Sequence, residues 1–280
     1  MIMRLETLRR EYHRQICSKL LSVDKTAVPS NADRHSDLSV SLARGILKEM
    51  GFRSSKKYSS GQTSGKMFEL ITANYLENAF DCMQHLRPGK FQFKVGKRID
   101  EFEQYEHLAL LAETLNAHKE LRATLGDYLI HPDIVIARIP VSDKEVNANQ
   151  SLLSKGPVAQ LTPFRKQNSE KPILHASISC KWTIRSDRSQ NARTEGLNLI
   201  RNRKGHTPHI AIVTAEPYPQ RIASVALGTG DIDCVYHFAL RELQAAAVSV
   251  RNDAVLEMLD ILVSGKRLRD ISDLPFDLAT

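Results

Sequence analysis

One lysine in an apolar segment, and a glutamate in the segment that follows it, are the residues best placed to do chemistry. Lys181 lies in ISCKWTI, where the two-residue period of a strand puts it on the same face as Ser179. Glu195 shares a helical stripe with Ala192 and Leu199, so its carboxylate is predicted to face inward. A lysine in such a strand either extends to solvent at the strand end or lies beside carboxylates.

Two further carboxylates occur in apolar segments. Asp133 begins DIVIARI directly after Pro132, where a strand-capping or turn aspartate is an equal alternative. Glu69 falls on the apolar stripe of a predicted helix with Leu76. Because buried like charges require a cation, the three carboxylates together predict an oxygen-ligated divalent metal such as Mg²⁺. Lys181 would then orient or polarise an attacking water while the metal stabilises the transition state, which is the chemistry of phosphodiester hydrolysis.

Alternating strands and helices must position these residues. Hydrophobic periodicity predicts strands over residues 90–95, 128–139, 173–182 and 209–216, and helices over 5–21, 37–50, 67–86, 102–121, 187–201, 235–248 and 253–263. Polar segments at 23–36 and 140–171 are predicted loops, the second either a long functional loop or an arm that reaches another subunit. The pattern predicts an α/β fold with a central mixed β-sheet flanked by helices, and no clean boundary divides residues 1–280 into separate domains.

The composition favours a polyanionic partner. The 39 Lys and Arg residues against 32 Asp and Glu give a formal charge of +7 and a pI near 9.2, although a solvated basic face is the alternative. The four cysteines lie far apart without a CxxC pair, which argues against a zinc site and a disulfide scaffold and fits a reducing cytoplasm. The charged N-terminus is unlike a signal peptide, and no apolar run approaches membrane-spanning length.

Several blocks of the sequence together resemble the CCGG family of type II restriction endonucleases of prokaryotes. The pair Pro132-Asp133, the SCK triplet at 179–181 and the displaced Glu195 are similar to that family's variant PD-(D/E)XK motif. In this variant a glutamate from the following helix replaces the acidic residue two positions before the lysine. The blocks ISCKWTIRSDR, EGLNLIRNRKG, VTAEP, ALGTG and IDCVYHFAL extend the resemblance over nearly the whole chain, whereas residues 140–171 match poorly. The implied fold is the PD-(D/E)XK restriction-endonuclease fold, as a single domain over 1–280.

The resemblance implies an active site and its cofactor. The implied catalytic residues, which bind metal, serve the nucleophilic water or line the site, are Asp133, Lys181, Glu195, Ser179 and Glu69. Asp133 and Glu195 would hold metal together with the main-chain carbonyl of Cys180, and Lys181 would serve the water. Two Mg²⁺ ions per site are implied. Family members form homodimers that assemble into homotetramers, and a companion DNA methyltransferase protects the host's own sites.

The resemblance also implies which residues contact DNA bases. They lie on the RSDR turn and on three other segments, and are Arg185, Asp187, Arg188, Asp33, Arg221 and Gln62. The RSDR residues suit a CCGG core, because an arginine forks onto guanine O6 and N7 while a carboxylate accepts from cytosine N4. Asp33 and Arg221 would read an outer G·C pair in the same way, and Gln62 would lie in the minor groove. The implied site is GCCGGC, cut after the first G to leave 5′ CCGG overhangs. From the residues alone, a surface ion-pair cluster is the alternative for RSDR.

Two other functions are compatible with the residues. A PD-(D/E)XK repair or structure-specific nuclease would use the same kind of metal site but cut junctions or flaps without a fixed sequence. A basic DNA-binding protein that is not an enzyme would explain the charge, and the inward carboxylates would then be accidental. Cleavage at discrete sites distinguishes the restriction endonuclease from both.

Overall fold

The chain folds into two compact units. The computed structural model describes residues 4–54, 61–118, 120, 123, 129–154, 156–228 and 230–280; at 61, 62 and 186–190 it describes the main chain only. The first unit comprises Met1–Arg87, Ile178–Gly196 and Ile210–Thr280, and the second comprises Pro88–Ser177 and Leu197–His209. Within the described ranges, no helix combines the length and the hydrophobicity needed to cross a membrane.

Helices and strands alternate through the middle of the chain. For the described residues, helices α1 to α10 are Leu5–Lys19, Asp37–Met50, Gly61–Cys82, His107–Ala117, Asp143–Val146, Ser186–Asn202, Pro219–Ala226, Leu240–Val250, Asp253–Ser264 and Leu274–Asp277. Strands β1 to β6 are Phe91–Val95, Ile134–Arg138, Ile173–Lys181, His209–Thr214, Cys234–His237 and Leu268–Asp270. Two short 3-10 turns, Ile99–Glu101 and Glu103–Tyr105, precede α4.

The six strands form one mixed sheet, in the order β1 to β6. Strands β1 and β2 are antiparallel, with Phe91 opposite Arg138, whereas β4, β5 and β6 run parallel. All four residues of β5 are buried, as expected for a parallel strand covered on both faces. The predicted α/β fold with a central mixed sheet flanked by helices is therefore confirmed.

In the first unit, α2 packs against α8 at close range. Helix α2 has the bounds that the sequence predicts: Ser36 caps its first turn by accepting from the Ser39 N–H, and it ends at Gly51, whose φ is 70°. A Cβ placed on Gly45 would lie 2.5 Å from the Cβ of Ala246. Glycine at position 45 is therefore what allows the two helices to approach so closely.

In the second unit, hydrogen bonds fix the segment before α4 to neighbouring backbone. The side-chain amide of Gln104 donates to the carbonyl of Leu174 and accepts from its N–H, both at 2.8 Å. The buried hydroxyl of Tyr105 donates to the carbonyl of Leu199 at 3.0 Å. These bonds satisfy polar groups that would otherwise be buried without partners.

The polar segment 140–171 is irregular over most of its described part, as predicted. Its short helix α5 begins with a capping box, in which Ser142 and Glu145 satisfy each other's main-chain N–H groups. Arg165 is buried and binds the carboxylate of Asp143 at 2.6 Å. The segment is therefore held by polar contacts of its own.

The C-terminal third departs from the sequence prediction. The helix predicted over 235–248 begins at Leu240, because the residues before it form strand β5. A short run of buried apolar residues has no period that separates a strand from a helix. Helix α7 and strand β6 are too short for periodicity to predict, and neither is expected from the sequence.

Candidate active site and base-contacting residues

The predicted glutamate of α6 lies beside the strand that carries the lysine. Ser179, buried in β3, donates a hydrogen bond from its Oγ to Oε2 of Glu195 at 3.1 Å. Glu195 is half-buried on the same side of α6 as the buried Ala192 and Leu199. The inward orientation that the helical stripe predicts for Glu195 is therefore confirmed. Its hydrogen-bond partner on β3 is Ser179, another residue of the predicted active site.

A glycine directly after this glutamate allows α6 to approach its neighbouring loop. A Cβ placed on Gly196 would lie 2.5 Å from the main-chain carbonyl oxygen of Asp231. Any larger residue at 196 would have to push the helix or the loop away, because the contact is with main chain. Gly196 therefore helps to set the position from which Glu195 reaches Ser179.

The main chain of Lys181 is held by the end of β4. Its carbonyl accepts hydrogen bonds from Oγ1 of Thr214 at 2.8 Å and from the N–H of Ala215 at 3.2 Å. Lys181 is half-buried, whereas Cys180 beside it is buried. The end of β3 is thus fixed at the residue predicted to serve the water.

Glu69 is the other predicted carboxylate of the first unit. It lies on α3 with a side chain that is 15% exposed, and it pairs with Lys66 at 3.2 Å one turn earlier on the helix. The prediction that it occupies a mainly buried face is confirmed. Its place in the active site stays a prediction.

Asp133 belongs to the second unit, at a bend directly before β2. Its main-chain carbonyl accepts a hydrogen bond from the N–H of Gly96 at 3.1 Å, and the residue is half-buried. The strand that follows it, Ile134–Arg138, is buried apart from its last residue. The role of Asp133 as a metal ligand stays a prediction.

The predicted metal ligands are all oxygen donors. Among the described residues, no group of three or more His, Cys, Asp and Glu is placed to hold a metal ion. The predicted set does not require such a group, since it consists of the carboxylates of Asp133 and Glu195 and the main-chain carbonyl of Cys180. This chemistry fits a hard cation such as Mg²⁺ and not zinc, which prefers nitrogen and sulfur.

The predicted base-contacting turn leads directly into α6. Arg185 is exposed and immediately precedes Ser186–Asn202. Asp187 and Arg188 lie in the first turn of that helix, and their side chains are outside the described residues. The same holds for Gln62, in the first turn of α3. The base-contacting roles of all four residues stay predictions.

Asp33 and Arg221, which the sequence assigns to one outer base pair, form an ion pair although they are 188 positions apart. Both side chains are partly exposed. Asp33 also accepts from the N–H of His35 at 3.1 Å, and this bond together with Arg221 holds the pKa of the Asp33 carboxyl below its usual range. The carboxylate is therefore ionised and the arginine is oriented by it.

Glu216 is a buried carboxylate next to these residues that the sequence analysis does not single out. It is 1% exposed; its Oε2 accepts from the N–H of Ile184 at 2.9 Å and its Oε1 from the N–H of Tyr218 at 3.2 Å. Oε2 also lies 4.0 Å from Nη1 of Arg221. Burial raises the pKa of the Glu216 carboxyl to about 7. The one available signal is an acidic residue at the end of a mostly apolar strand, in VTAEP.

The known proteins that this chain resembles are restriction enzymes. The family model described as NgoMIV restriction enzyme matches residues 12–280. The chain is similar to the type II restriction enzyme NgoMIV of Neisseria gonorrhoeae, with 48% identity over 278 residues that cover 97% of each protein. Among solved structures it has a likeness to the Bse634I restriction endonuclease, with a TM-score of 0.32 and 16% identity over 80% of this chain and 81% of that one.

Proposed function

The chain belongs to the NgoMIV restriction enzyme family, and from that membership we propose that it cleaves double-stranded DNA at GCCGGC, after the first G, to leave 5′ CCGG overhangs. It is a type II restriction endonuclease, which is a site-specific endonuclease. The observation that carries the active-site part of the proposal is the 3.1 Å hydrogen bond from Ser179 to Glu195. This bond brings the carboxylate of Glu195, the proposed displaced acidic residue of a variant PD-(D/E)XK motif, to the strand that carries Lys181.

In the proposed active site, the chain supplies oxygen ligands and one ammonium group. Asp133, Glu195 and the carbonyl of Cys180 would hold the metal, with two Mg²⁺ ions per site. When bound, Mg²⁺ supplies Lewis acidity that stabilises the charge developing on the phosphate. The ammonium of Lys181 would hold and orient the attacking water, and its fixed main chain supports this role because orientation depends on an immobile anchor.

Ser179 and Glu69 have supporting roles in the proposed site. The Ser179 hydroxyl donates to Oε2 of Glu195 and so would help to hold the orientation of that carboxylate beside the metal. Glu69 would line the site from α3, where its carboxylate forms an ion pair with Lys66.

Sequence recognition is proposed to divide between an inner and an outer set of residues. Arg185, Asp187 and Arg188 would read the inner CCGG bases in the major groove, and Gln62 would contact the minor groove. Arg221 and Asp33 would read the outer G·C pair, the arginine on guanine and the carboxylate on cytosine. The ion pair between these two supports this assignment, since the donor and the acceptor for one base pair must lie side by side.

The palindromic site fits a symmetric assembly. We propose that residues 1–280 form a single restriction endonuclease domain and that two copies make a dimer, each reading one half of GCCGGC. Two dimers would assemble into a tetramer that engages two DNA sites. A companion DNA methyltransferase would protect the same sequence in the prokaryotic host, in whose cytoplasm the enzyme would meet its DNA.

A plasmid with two GCCGGC sites tests the proposal. Incubated with the protein and Mg²⁺, it should give discrete fragments whose ends carry 5′ CCGG overhangs. A matched plasmid in which the outer G·C pairs are replaced should stay intact. Binding without cutting would overturn the proposal, as would cutting at branched DNA with no dependence on sequence.

A further inference from the structure

We infer that Glu216 is a positioning residue for base recognition, which holds the Asp33–Arg221 pair and the turn that carries Arg185 in fixed positions relative to each other. The inference rests on the proposed function, because it concerns the residues assigned there to the outer and inner bases. Glu216 lies directly after β4 and is not among the residues assigned to catalysis or to base contact.

The carboxylate of Glu216 joins two segments that each carry a proposed base-contacting arginine. Its Oε2 accepts from the N–H of Ile184, the residue before Arg185, at 2.9 Å. Its Oε1 accepts from the N–H of Tyr218 at 3.2 Å, and Tyr218 is the N-cap of α7, the helix of Arg221. Hydrogen bonds to an ionised acceptor are stronger than neutral ones, so one side chain fixes both segments.

The guanidinium of Arg221 is held between two carboxylates. Its Nη2 binds Asp33, and its Nη1 lies 4.0 Å from Oε2 of Glu216. A guanidinium is planar and presents its donors in a fixed fork, so contacts on two sides determine the direction in which the remaining donors point. Glu216 therefore orients the group proposed to read the outer guanine.

The main chain of Glu216 also connects with the end of β3. Its N–H donates to Oγ1 of Thr214 at 3.1 Å, and that hydroxyl donates to the carbonyl of Lys181 at 2.8 Å. Its carbonyl accepts from the ring of His237 at 3.2 Å. The residue that orients Arg221 is thus tied to the backbone of the proposed catalytic lysine through one hydroxyl.

A charge at this position is costly to the fold, which argues that its contacts matter for function. Glu216 is 1% exposed, and burial raises its pKa to about 7, so ionisation opposes folding as the pH rises through that value. A neutral side chain would cap Ile184 without this cost. The negative charge is needed only for the electrostatic attraction of the neighbouring Arg221.

Among the described residues, three titratable or charged groups face Glu216, and each keeps its charge state near neutral pH. Arg221 from α7 favours its ionised form and Asp33 from the N-terminal loop disfavours it. The pKa of Asp33 lies below its usual range, so that carboxylate stays ionised. Burial lowers the pKa of His237 in β5 to about 4, so that ring stays neutral. His35 also lies beside Asp33, and it is retained in a Glu216 variant. A change in recognition between about pH 6 and about pH 8 that follows the charge of Glu216 should therefore be absent from that variant.

The variant Glu216→Gln tests the inference through the ratio of cleavage rates at GCCGGC and at a site with a changed outer base pair. We expect this ratio to fall by about ten-fold or more, the loss of one well-placed base contact. The ratio in the unaltered protein should rise between about pH 6 and about pH 8, while the ratio in the variant should be flat and low. Affinity for non-specific DNA should be unchanged.

Glu242→Gln is the matched control, because Glu242 is another largely buried carboxylate of the first unit, bound by Arg9. It should lower the melting temperature and leave the ratio unchanged. A Glu216→Gln protein with an unaltered ratio would overturn the inference, and so would a fall in cleavage at all sites alike. If the Glu216→Gln protein does not fold, Glu216→Asp takes its place, because it keeps the charge and draws the carboxylate back from Ile184 and Tyr218. An unaltered ratio in Glu216→Asp would then contradict the inference. Failure of the proposed function gives a different result from failure of the inference, because the unaltered protein would then not cut GCCGGC.

Discussion

Lys181 ends the buried strand β3 and is fixed through its carbonyl, so its side chain can be removed without disturbing the strand. We expect Lys181→Ala to reduce cleavage by about 10²-fold or more, because the ammonium group that orients the attacking water is lost. Specific binding of GCCGGC DNA in Ca²⁺ should remain. The measurements are single-turnover cleavage in Mg²⁺ and a gel-shift titration in Ca²⁺.

The control for this prediction is Lys171→Ala. Lys171 forms an exposed ion pair with Glu106. Its replacement by alanine removes one positive charge, as Lys181→Ala does, but cleavage should be unaffected. Loss of specific binding by Lys181→Ala, together with loss of cleavage, would mean that the lysine has a structural role.

Ser179 is expected to act through Glu195. In Ser179→Ala the hydrogen bond to Oε2 is lost, and a bond to a charged acceptor contributes about 1.5–3 kcal/mol. Cleavage at saturating Mg²⁺ should be reduced only modestly, whereas the Mg²⁺ concentration for half-maximal rate should rise. Ser249→Ala, which changes an exposed serine on α8, should leave the Mg²⁺ dependence unaltered. An unchanged dependence in Ser179→Ala would remove Ser179 from the site.

Arg221 and Asp33 should act on the same base pair. Replacing either by alanine should cost about 1–3 kcal/mol of discrimination at the outer pair and nothing at the inner pairs. The double variant should cost less than the sum, since the two side chains contact each other. Arg14→Ala, which removes an exposed positive charge on α1, is the control for net charge. Additive costs in the double variant would contradict a joint role.

The sequence reveals those site residues whose orientation follows from a local period. The stripe of α6 predicts that Glu195 faces inward, and the alternation in β3 predicts the position of Ser179. Glu216 is different, because its partners Ile184 and Tyr218 come from segments that only the folded chain brings to it. No local pattern contains that information.

At the scale of elements, the contact between α2 and α8 gives a test of packing. In Gly45→Ala the new methyl group would lie 2.5 Å from the Cβ of Ala246. Alanine gains about 1 kcal/mol of helix propensity. Overpacking costs about 1–3 kcal/mol, so the free energy of unfolding should fall. Thermal unfolding measures this free energy. Adding Ala246→Gly to the Gly45→Ala protein should recover the lost stability.

Gly65 in α3 is the matched control. A Cβ placed there meets nothing within 4 Å. Gly65→Ala should therefore raise the free energy of unfolding by about 0.5–1 kcal/mol. An equal increase in Gly45→Ala would mean that the helices separate without cost.

Prediction of the elements succeeds where end signals are strong and fails where burial is complete. Helix α2 has a serine at its N-cap and a glycine at its C-cap, and its bounds follow from the sequence. Strand β5, Cys234–His237, is buried at every position, so it has neither a polar face nor a period. The same residues read equally well as the start of the helix that follows.

At the scale of the whole molecule, the proposed palindromic site matches a two-fold symmetric dimer, and the proposed tetramer pairs two such dimers. We expect the protein to sediment as a tetramer of its 31.5 kDa chain. A plasmid with two sites should be cut faster than a plasmid with one, because both dimers can then engage the same molecule. Equal rates on the two plasmids, with a dimer in sedimentation, would contradict the tetramer.

The net charge of +7 should appear as a dependence of binding on salt. Each phosphate contact contributes a slope of about −0.9 to the logarithm of the binding constant against the logarithm of salt concentration. Non-specific and specific binding should share most of this slope, since base contacts release few counterions.

The ion pair between Asp33 and Arg221 has a consequence for how long the protein stays on DNA. Off the correct sequence the two charges neutralise each other, so this part of the surface attracts phosphates little. Encounter with any DNA would then be governed by other basic residues, and the pair would take part only when the proposed G·C edge replaces their mutual contact. A change in the outer base pair should therefore shorten residence time and leave the association rate nearly constant.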